Sequence, residues 1–165
     1  MATNKMAKLV NASAALPTTV RVAVISKIFG RIVPMVGTAG IRYEHISADK
    51  VVCSMQNKRP IQNHINGLHA VAVALLAETA TGFVTAMNIP DDRIVLIKSL
   101  KLDYLRVGKG SMTATATLSL TARQFIAEHP KGELVIPVVI RDESDRPPVE
   151  CHMVWAWVSK DRIKK

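Results

Sequence analysis

Apolar residues recur near helical spacing through Val20, Val24, Ile28 and Ile32, which predicts one or two amphipathic helices with a basic face in residues 1–40, their apolar stripe needing a partner. Pro34, Gly37 and Gly40 end that pattern, because proline blocks helix continuation and glycine opens turn conformations. Residues 41–46 and 50–56 read as two strands joined by a turn at Ser47-Ala48-Asp49. A polar loop, 57–67, leads into the most apolar stretch, 70–87. There the run Ala70-Val71-Ala72-Val73-Ala74-Leu75-Leu76-Ala77 has no polar face, so it predicts a helix covered on nearly every side. A turn at 88–92 is followed by strand-like runs at 93–107, 111–121, 134–141 and 151–159. The second of these alternates Met112, Ala114, Ala116, Leu118 and Leu120 against Thr113, Thr115, Thr117, Ser119 and Thr121. Pro137 implies an edge position or a bulge in its strand, since it has no N–H to donate. Helices, two strands, a buried helix and then several strands make an α+β plan: a curved antiparallel sheet around one long central helix.

At 165 residues, with 48% hydrophobic and 21% charged positions, the chain has the length and balance of a single folded domain. We divide it into an N-terminal helical extension, 1–40, and a main body, 41–160. Its 22 Lys+Arg against 13 Asp+Glu give a net charge of +9, which favours anionic partners without choosing among nucleic acid, acidic lipid and phosphate-bearing ligands. The first 40 residues hold five basic residues and no acidic one. Cys53 and Cys151 are the only cysteines and sit in no metal-ligand spacing, so neither a disulfide framework nor a zinc site is expected. No signal-peptide core is evident, and 70–87 is short for a membrane span and carries Glu78 at its middle. A cytoplasmic protein without a membrane span is the expectation.

Glu78 is the first candidate for chemistry. Its helix neighbours Ala74, Leu75, Thr81 and Gly82 cannot pair with a carboxylate, and isolated burial raises a carboxyl pKa. The alternative is an acid on the helix's one exposed stripe, or one paired to Arg or Lys from a strand. Upstream, Asn63-His64-Ile65-Asn66-Gly67-Leu68-His69 runs into the helix, placing His69 where free N–H groups and the helix dipole favour negative charge. Each of these residues taken singly also fits a cap or turn role. The basic pairs Lys58-Arg59 and Arg106-Lys109 lie in turns and could hold phosphates, or be solvated surface charges. Trp155 and Trp157 share a face of the last strand and suit packing or a subunit contact. No Walker loop, GxGxxG or GxSxG element is present.

The run 63–70, followed by Leu76-Ala77-Glu78-Thr79-Ala80-Thr81-Gly82, resembles the hotdog-fold thioesterases of the PaaI-like type, particularly the branch with a longer helical N-terminus. The resemblance covers about residues 20–159. In that family a polar Asn or Gln stands six residues before a His and an acidic residue nine after it; here these offsets fall on Asn63, His69 and Glu78. The resemblance implies hydrolysis of an acyl-coenzyme A or related thioester with no cofactor, coenzyme A being part of the substrate. Glu78 would act as general base or nucleophile, the Ala70 N–H with His69 would polarise the carbonyl, and Asn63 would orient the water or the carbonyl. Gly67, Thr81 and Gly82 would contact substrate, and Lys58, Arg59, Arg106 and Lys109 would meet the coenzyme A phosphates. The chain departs from active relatives in having His69-Ala70-Val71 for His-Gly-Gly, and Gly82 where a hydroxyl often stands one turn after the acid.

Other functions remain open at this level: a non-catalytic acyl- or coenzyme A-binding hotdog protein, or a basic binder of nucleic acid or an anionic surface. With 4% aromatic residues and no recognisable module, specific nucleic-acid binding is disfavoured. Nine residues at 1.5 Å rise separate His69 from Glu78 by about 13 Å along the helix, on opposite faces. If both act on one thioester, the site is shared between subunits of a homodimer or a dimer of dimers.

Overall fold

The computed structural model describes residues 4–162. Three helices come first: α1 (Lys5–Ala12), α2 (Thr18–Ile32) and α3 (Pro34–Ala39). Then follow β1 (Arg42–Ile46), β2 (Lys50–Met55), the central helix α4 (Ala70–Ala86), β3 (Arg93–Tyr104), β4 (Met112–Thr117), α5 (Leu120–Glu128), β5 (Gly132–Val135), β6 (Val138–Asp142) and β7 (Val149–Ser159). Strands order as β1-β2-β4-β6 in one sheet and β3-β7-β5 in the other, antiparallel throughout. β6 packs beside β7, and α4 touches β2, β4 and β6 on one side and β3 and β7 on the other. The sheets thus embrace the helix as expected, and no described helix is long and apolar enough to cross a membrane.

Two strand expectations change. The run 134–141 is not one strand, because the chain changes sheets at Ile136-Pro137. Ile136 N–H donates to Met153 O at 2.8 Å, continuing the β5–β7 pairing, whereas Pro137 O accepts from Thr117 N–H at 3.1 Å, continuing β6–β4. Pro137 sits at the crossing, where its missing N–H removes no ladder bond. The run 111–121 ends early: Ser119 Oγ accepts from Ala122 N–H at 3.1 Å and caps α5. Ala122, Phe125 and Ile126, spaced three and four apart, turn one face of this helix inward, with Ile126 fully buried.

The N-terminal extension is fastened to the body at the end of α4 and along β1. Asn4 caps α1 by accepting from Ala7 N–H at 2.7 Å, and its amide donates to Ala86 O at 2.7 Å and Ile89 O at 2.6 Å, so one side chain closes two helix ends. α2 lies on β1, where Tyr43 N–H donates to Ser26 Oγ at 2.9 Å. Its buried face is Val22, Ile25 and Phe29. The stripe expected to find a partner is instead left open: Val20, Val24 and Ile32 are exposed, Ile32 by 63%. α3 can fold back on α2 because Gly30 and Gly37 meet there; a Cβ on Gly37 would fall 2.4 Å from Gly30 O. α4 is also less enclosed than its sequence suggests. Val71 is 58% exposed, and Ala74, Leu75 and Glu78 are partly so, a stripe that the described residues cover incompletely.

Candidate active site

The loop before α4 is built on Asn63. Its Oδ1 accepts from the N–H groups of Ile65 and Gly67, both at 3.0 Å, its Nδ2 donates to Leu68 O at 3.4 Å, and its own N–H donates to Gly67 O at 2.8 Å. This network holds Asn66 at φ 60°, a conformation asparagine tolerates. His69 N–H donates to Ile61 O at 2.9 Å, fixing the entry to α4, and its Nδ1 accepts from Val71 N–H at 3.2 Å as the N-cap. Thus His69 is exposed and Nε2 is the ring nitrogen left for a ligand. Ala70, the first helical residue, has no intrahelical acceptor for its N–H. Asn63, Gly67, Ala70, Tyr104 and Arg106 line a cavity of about 310 Å³, with Tyr104 Oη donating to Ala70 O at 2.5 Å.

Glu78 lies elsewhere. With Thr79, Gly82 and Phe83 it faces a second cavity of about 180 Å³, closed on other sides by Tyr43, Val95 and Trp155 and, from the N-terminal extension, Met6, Phe29, Ile32, Val33 and Val36. Burial raises the Glu78 pKa. No ion pair involving Glu78 is found among the described residues, so its carboxylate has an apolar surrounding of the kind that tunes general bases. Burial, with Cys53 and Glu78 nearby, pushes the Tyr43 phenol up as well. Phe29, Tyr43 and Phe83 form an aromatic trio beside the carboxylate, Phe29 and Phe83 meeting edge-on at 4.5 Å and Tyr43 and Phe83 at 4.7 Å.

One chain therefore does not bring Asn63, His69 and Ala70 together with Glu78: Asn63 and Ala70 line one cavity and Glu78 another, while His69 is exposed at the start of α4 and lines neither. Other expected contacts have different work. Thr81 is fully buried and turned to the sheet, donating to Ala77 O at 2.8 Å and accepting from Trp155 Nε1 at 2.9 Å, so it positions the cavity wall and does not face the cavity. Gly82 is small because a Cβ there would lie 2.6 Å from Trp155 Cη2; the hydroxyl of active relatives has no room. Arg106 is committed to Asp142 in a two-pronged pair, Nη1–Oδ2 2.7 Å and Nη2–Oδ1 3.0 Å, and also donates to Arg146 O at 2.6 Å. That pair orders a turn and competes with any phosphate for the guanidinium. Lys109 lends Asp142 its N–H at 2.7 Å, while its side chain, like those of Lys58 and Arg59, is exposed.

Sequence reasoning did not single out Tyr43, Phe29 or Trp155 as cavity walls, and only the topology brings them to Glu78. Thr79 was visible as a neighbour of Glu78 but gave no signal. Its Oγ1 is buried without a hydrogen-bond partner among the described residues, unlike Thr81 and Thr85, which donate to the carbonyls four residues back. Among the described residues, no three His, Cys, Asp or Glu side chains form a metal-holding group.

Similar solved structures share this architecture. A Pseudomonas aeruginosa protein, PA5026, described as a "Probable Thioesterase", is 23% identical with a TM-score of 0.73 over 87% of this chain and 97% of its own. The thioesterase HI1161 of Haemophilus influenzae is 19% identical, TM-score 0.62, over 76% and 82%. The thioesterase SAV0944 of Staphylococcus aureus, in a mutant form, is 21% identical, TM-score 0.65, over 76% and 98%. At these identities the likeness establishes the hotdog fold. No curated protein matches this chain. The model of the family described as "Domain of unknown function (DUF4442)" matches residues 21–158, and the chain belongs to that family.

Proposed function

We propose that the protein is a thioesterase that hydrolyses an acyl-coenzyme A or related carrier thioester. The observation that carries this reading is Glu78: a half-buried carboxylate of raised pKa, unpaired, at the wall of an apolar cavity. In the proposed reaction Glu78 takes a proton from water as the water oxygen attacks the thioester carbonyl carbon. The resulting oxyanion is held by the Ala70 N–H at the start of α4, where the helix dipole adds to the N–H donor, and by His69 Nε2–H. Collapse breaks the C–S bond, and the departing thiolate takes the proton back from Glu78, giving acid and thiol. Asn63 keeps the loop in the shape that presents Ala70 and His69.

Because Glu78 lines a different cavity from Asn63 and Ala70 of its own chain, the reading includes a homodimer in which Glu78 works with His69 and Ala70 of the partner subunit. Two features support it. β3 is an edge strand of twelve residues with Leu96, Leu100 and Tyr104 exposed, and unpaired edges of this length need cover. The open stripe on α4 ends at Val71, beside the proposed oxyanion site.

The test is thiol release from short, long and aromatic acyl-coenzyme A substrates by the parent and Glu78→Gln. Loss of a positioned acid/base removes about 10²–10⁴-fold in rate. Stability supplies a second readout. A carboxyl whose folded pKa is raised binds protons more readily folded than unfolded, so its stabilising effect fades as pH rises from the unfolded carboxylate pKa through the folded one. Glu78→Gln should therefore be more stable than the parent at neutral pH and lose that advantage in acid. Full turnover in Glu78→Gln, or no turnover by the parent on any thioester, sinks the assignment; the latter leaves an acyl-binding protein.

A further inference from the structure

The N-terminal extension carries a surface that neither the fold nor the proposed reaction uses. Along α2 the exposed residues Val20, Val24, Lys27 and Arg31 stand at intervals of four, three and four, within about 60° of arc on the helix. The stripe ends at the α2–α3 corner, where Ile32, Val33 and Met35 are exposed, Met35 by 58%. Ile32 and Val33 also line the Glu78 cavity, so the corner is a lip of that cavity. Lys5 and Lys8 on α1 are exposed as well. No acidic residue occurs before Glu44. Of the acidic groups near the extension, Glu44 accepts from Ser54 Oγ and Arg42, Asp91 accepts from Lys5 N–H, and Glu78 lies within the cavity behind the corner.

We propose that this face docks on an anionic lipid bilayer and sets the lip of the Glu78 cavity against it. Resting on the thioesterase reading, the substrate class is then a long-chain acyl thioester that partitions into the bilayer. Three arguments favour lipid over other occupants. Large apolar side chains interleaved with lysine and arginine match the interface of a bilayer, where apolar groups enter the acyl boundary and cations meet headgroups. A nucleic-acid backbone would reward Lys27 and Arg31 but gain nothing from Val20, Val24, Ile32 and Met35. A second copy docking isologously would bury Lys27 and Arg31 of both chains against a stripe that holds no acidic residue to pair with them.

The experiment is sedimentation of the full-length protein with vesicles of equimolar phosphatidylcholine and phosphatidylglycerol, beside vesicles of phosphatidylcholine alone. The protein should pellet with the anionic vesicles, and concentrated salt should release it. Each cation near such a surface raises partitioning about fivefold, so Lys27→Glu/Arg31→Glu should weaken binding by at least about 25-fold. Val20→Ser/Val24→Ser should weaken it too. Absence of binding by the parent overturns the proposal, as does undiminished binding by the charge-reversed protein. If Val20→Ser/Val24→Ser binds as the parent does and duplex DNA strips both from vesicles, the face is a general polyanion site and the proposal falls. It falls equally if Lys27→Glu/Arg31→Glu dissociates a dimer in sedimentation velocity. Neither pair touches the proposed chemistry, so turnover of a water-soluble short-chain thioester should be unchanged. Turnover without vesicle binding refutes the docking alone, and vesicle binding without turnover refutes the thioesterase reading alone.

Discussion

Gly82→Ala puts one methyl group where the wall of the Glu78 cavity comes closest to α4. The new Cβ would stand 2.6 Å from Trp155 Cη2 and 2.7 Å from Cζ2, where ordinary contact begins near 3.4 Å. The indole must therefore shift by close to 1 Å, and it is not free to do so, because Nε1 is bonded to Thr81 Oγ1 at 2.9 Å. Overpacking of this kind costs about 1–3 kcal/mol, and loss of the indole bond about 1 kcal/mol more. Alanine returns about 1 kcal/mol through its helix propensity. The net loss is about 1–3 kcal/mol, which for a chain of this length lowers Tm by about 2–12 °C. Urea or thermal unfolding of the parent, Gly82→Ala, Trp155→Phe and the double variant completes a cycle. Trp155→Phe removes the indole's outer ring, so Gly82→Ala should cost less in that background, giving coupling of about 1 kcal/mol or more. If Gly82→Ala is as stable as the parent, or costs the same beside Phe at position 155, the close approach is not the reason for glycine.

Three further outcomes follow from single side chains. Asn4→Ala removes a cap and two bonds to the end of α4, for a loss of about 2–4 kcal/mol, visible as faster amide exchange in α1; exchange at the parental rate would show that Asn4 does not hold the extension. Asp142→Ala should lower Tm, since it takes the shared acceptor from Arg106 and from the donors of Lys109 and Ser144. Arg106 holds the Asp142 pKa far below the usual carboxylate range, so this stability is present above the unfolded carboxylate pKa and declines as pH falls below it; the variant should show a flatter acid-unfolding curve than the parent. Thr79→Val keeps the shape and removes a buried hydroxyl without a partner, so stability should hold or rise by about 1 kcal/mol in urea titration, and a loss larger than that would reveal a bond at Oγ1.

The central helix, the early strands and the alternation at 112–117 were legible because a single periodicity governs each. The apolar run at 70–77 announced a helix but could not tell which stripe stays open, since alanine and valine look alike on every face. The split at Ile136-Pro137 lies beyond periodicity: an unbroken apolar run serves two sheets, and proline alone marks the change of partner. α5 was hidden because Leu118 and Leu120 continue the β alternation into Ser119, which is in fact a cap. At α2 the sequence pattern points to the wrong face, because Val20, Val24 and Ile32 compete with Val22, Ile25 and Phe29 for the same period. Glu78, His69 and Asn63 stood out as polar groups beside an apolar helix. Tyr43, Phe29 and Trp155 did not, since they reach Glu78 only through the topology. The commitment of Arg106 to Asp142 was invisible for the same reason, the partners being separated by 36 positions.

The bonds of Asn4 to Ala86 and Ile89 span 82 and 85 positions, and this separation has meaning on the ribosome. At roughly 5–20 residues per second, about 4–17 s pass between synthesis of Asn4 and synthesis of its acceptors. Helices relax in about a microsecond, so α1 forms and melts many times before the carbonyls that hold it exist. The part of the Glu78 cavity wall that α1 gives is thus made early and cannot be fastened until residue 89 has been added. Slowing synthesis between residues 12 and 86 would lengthen the period in which that wall stands open.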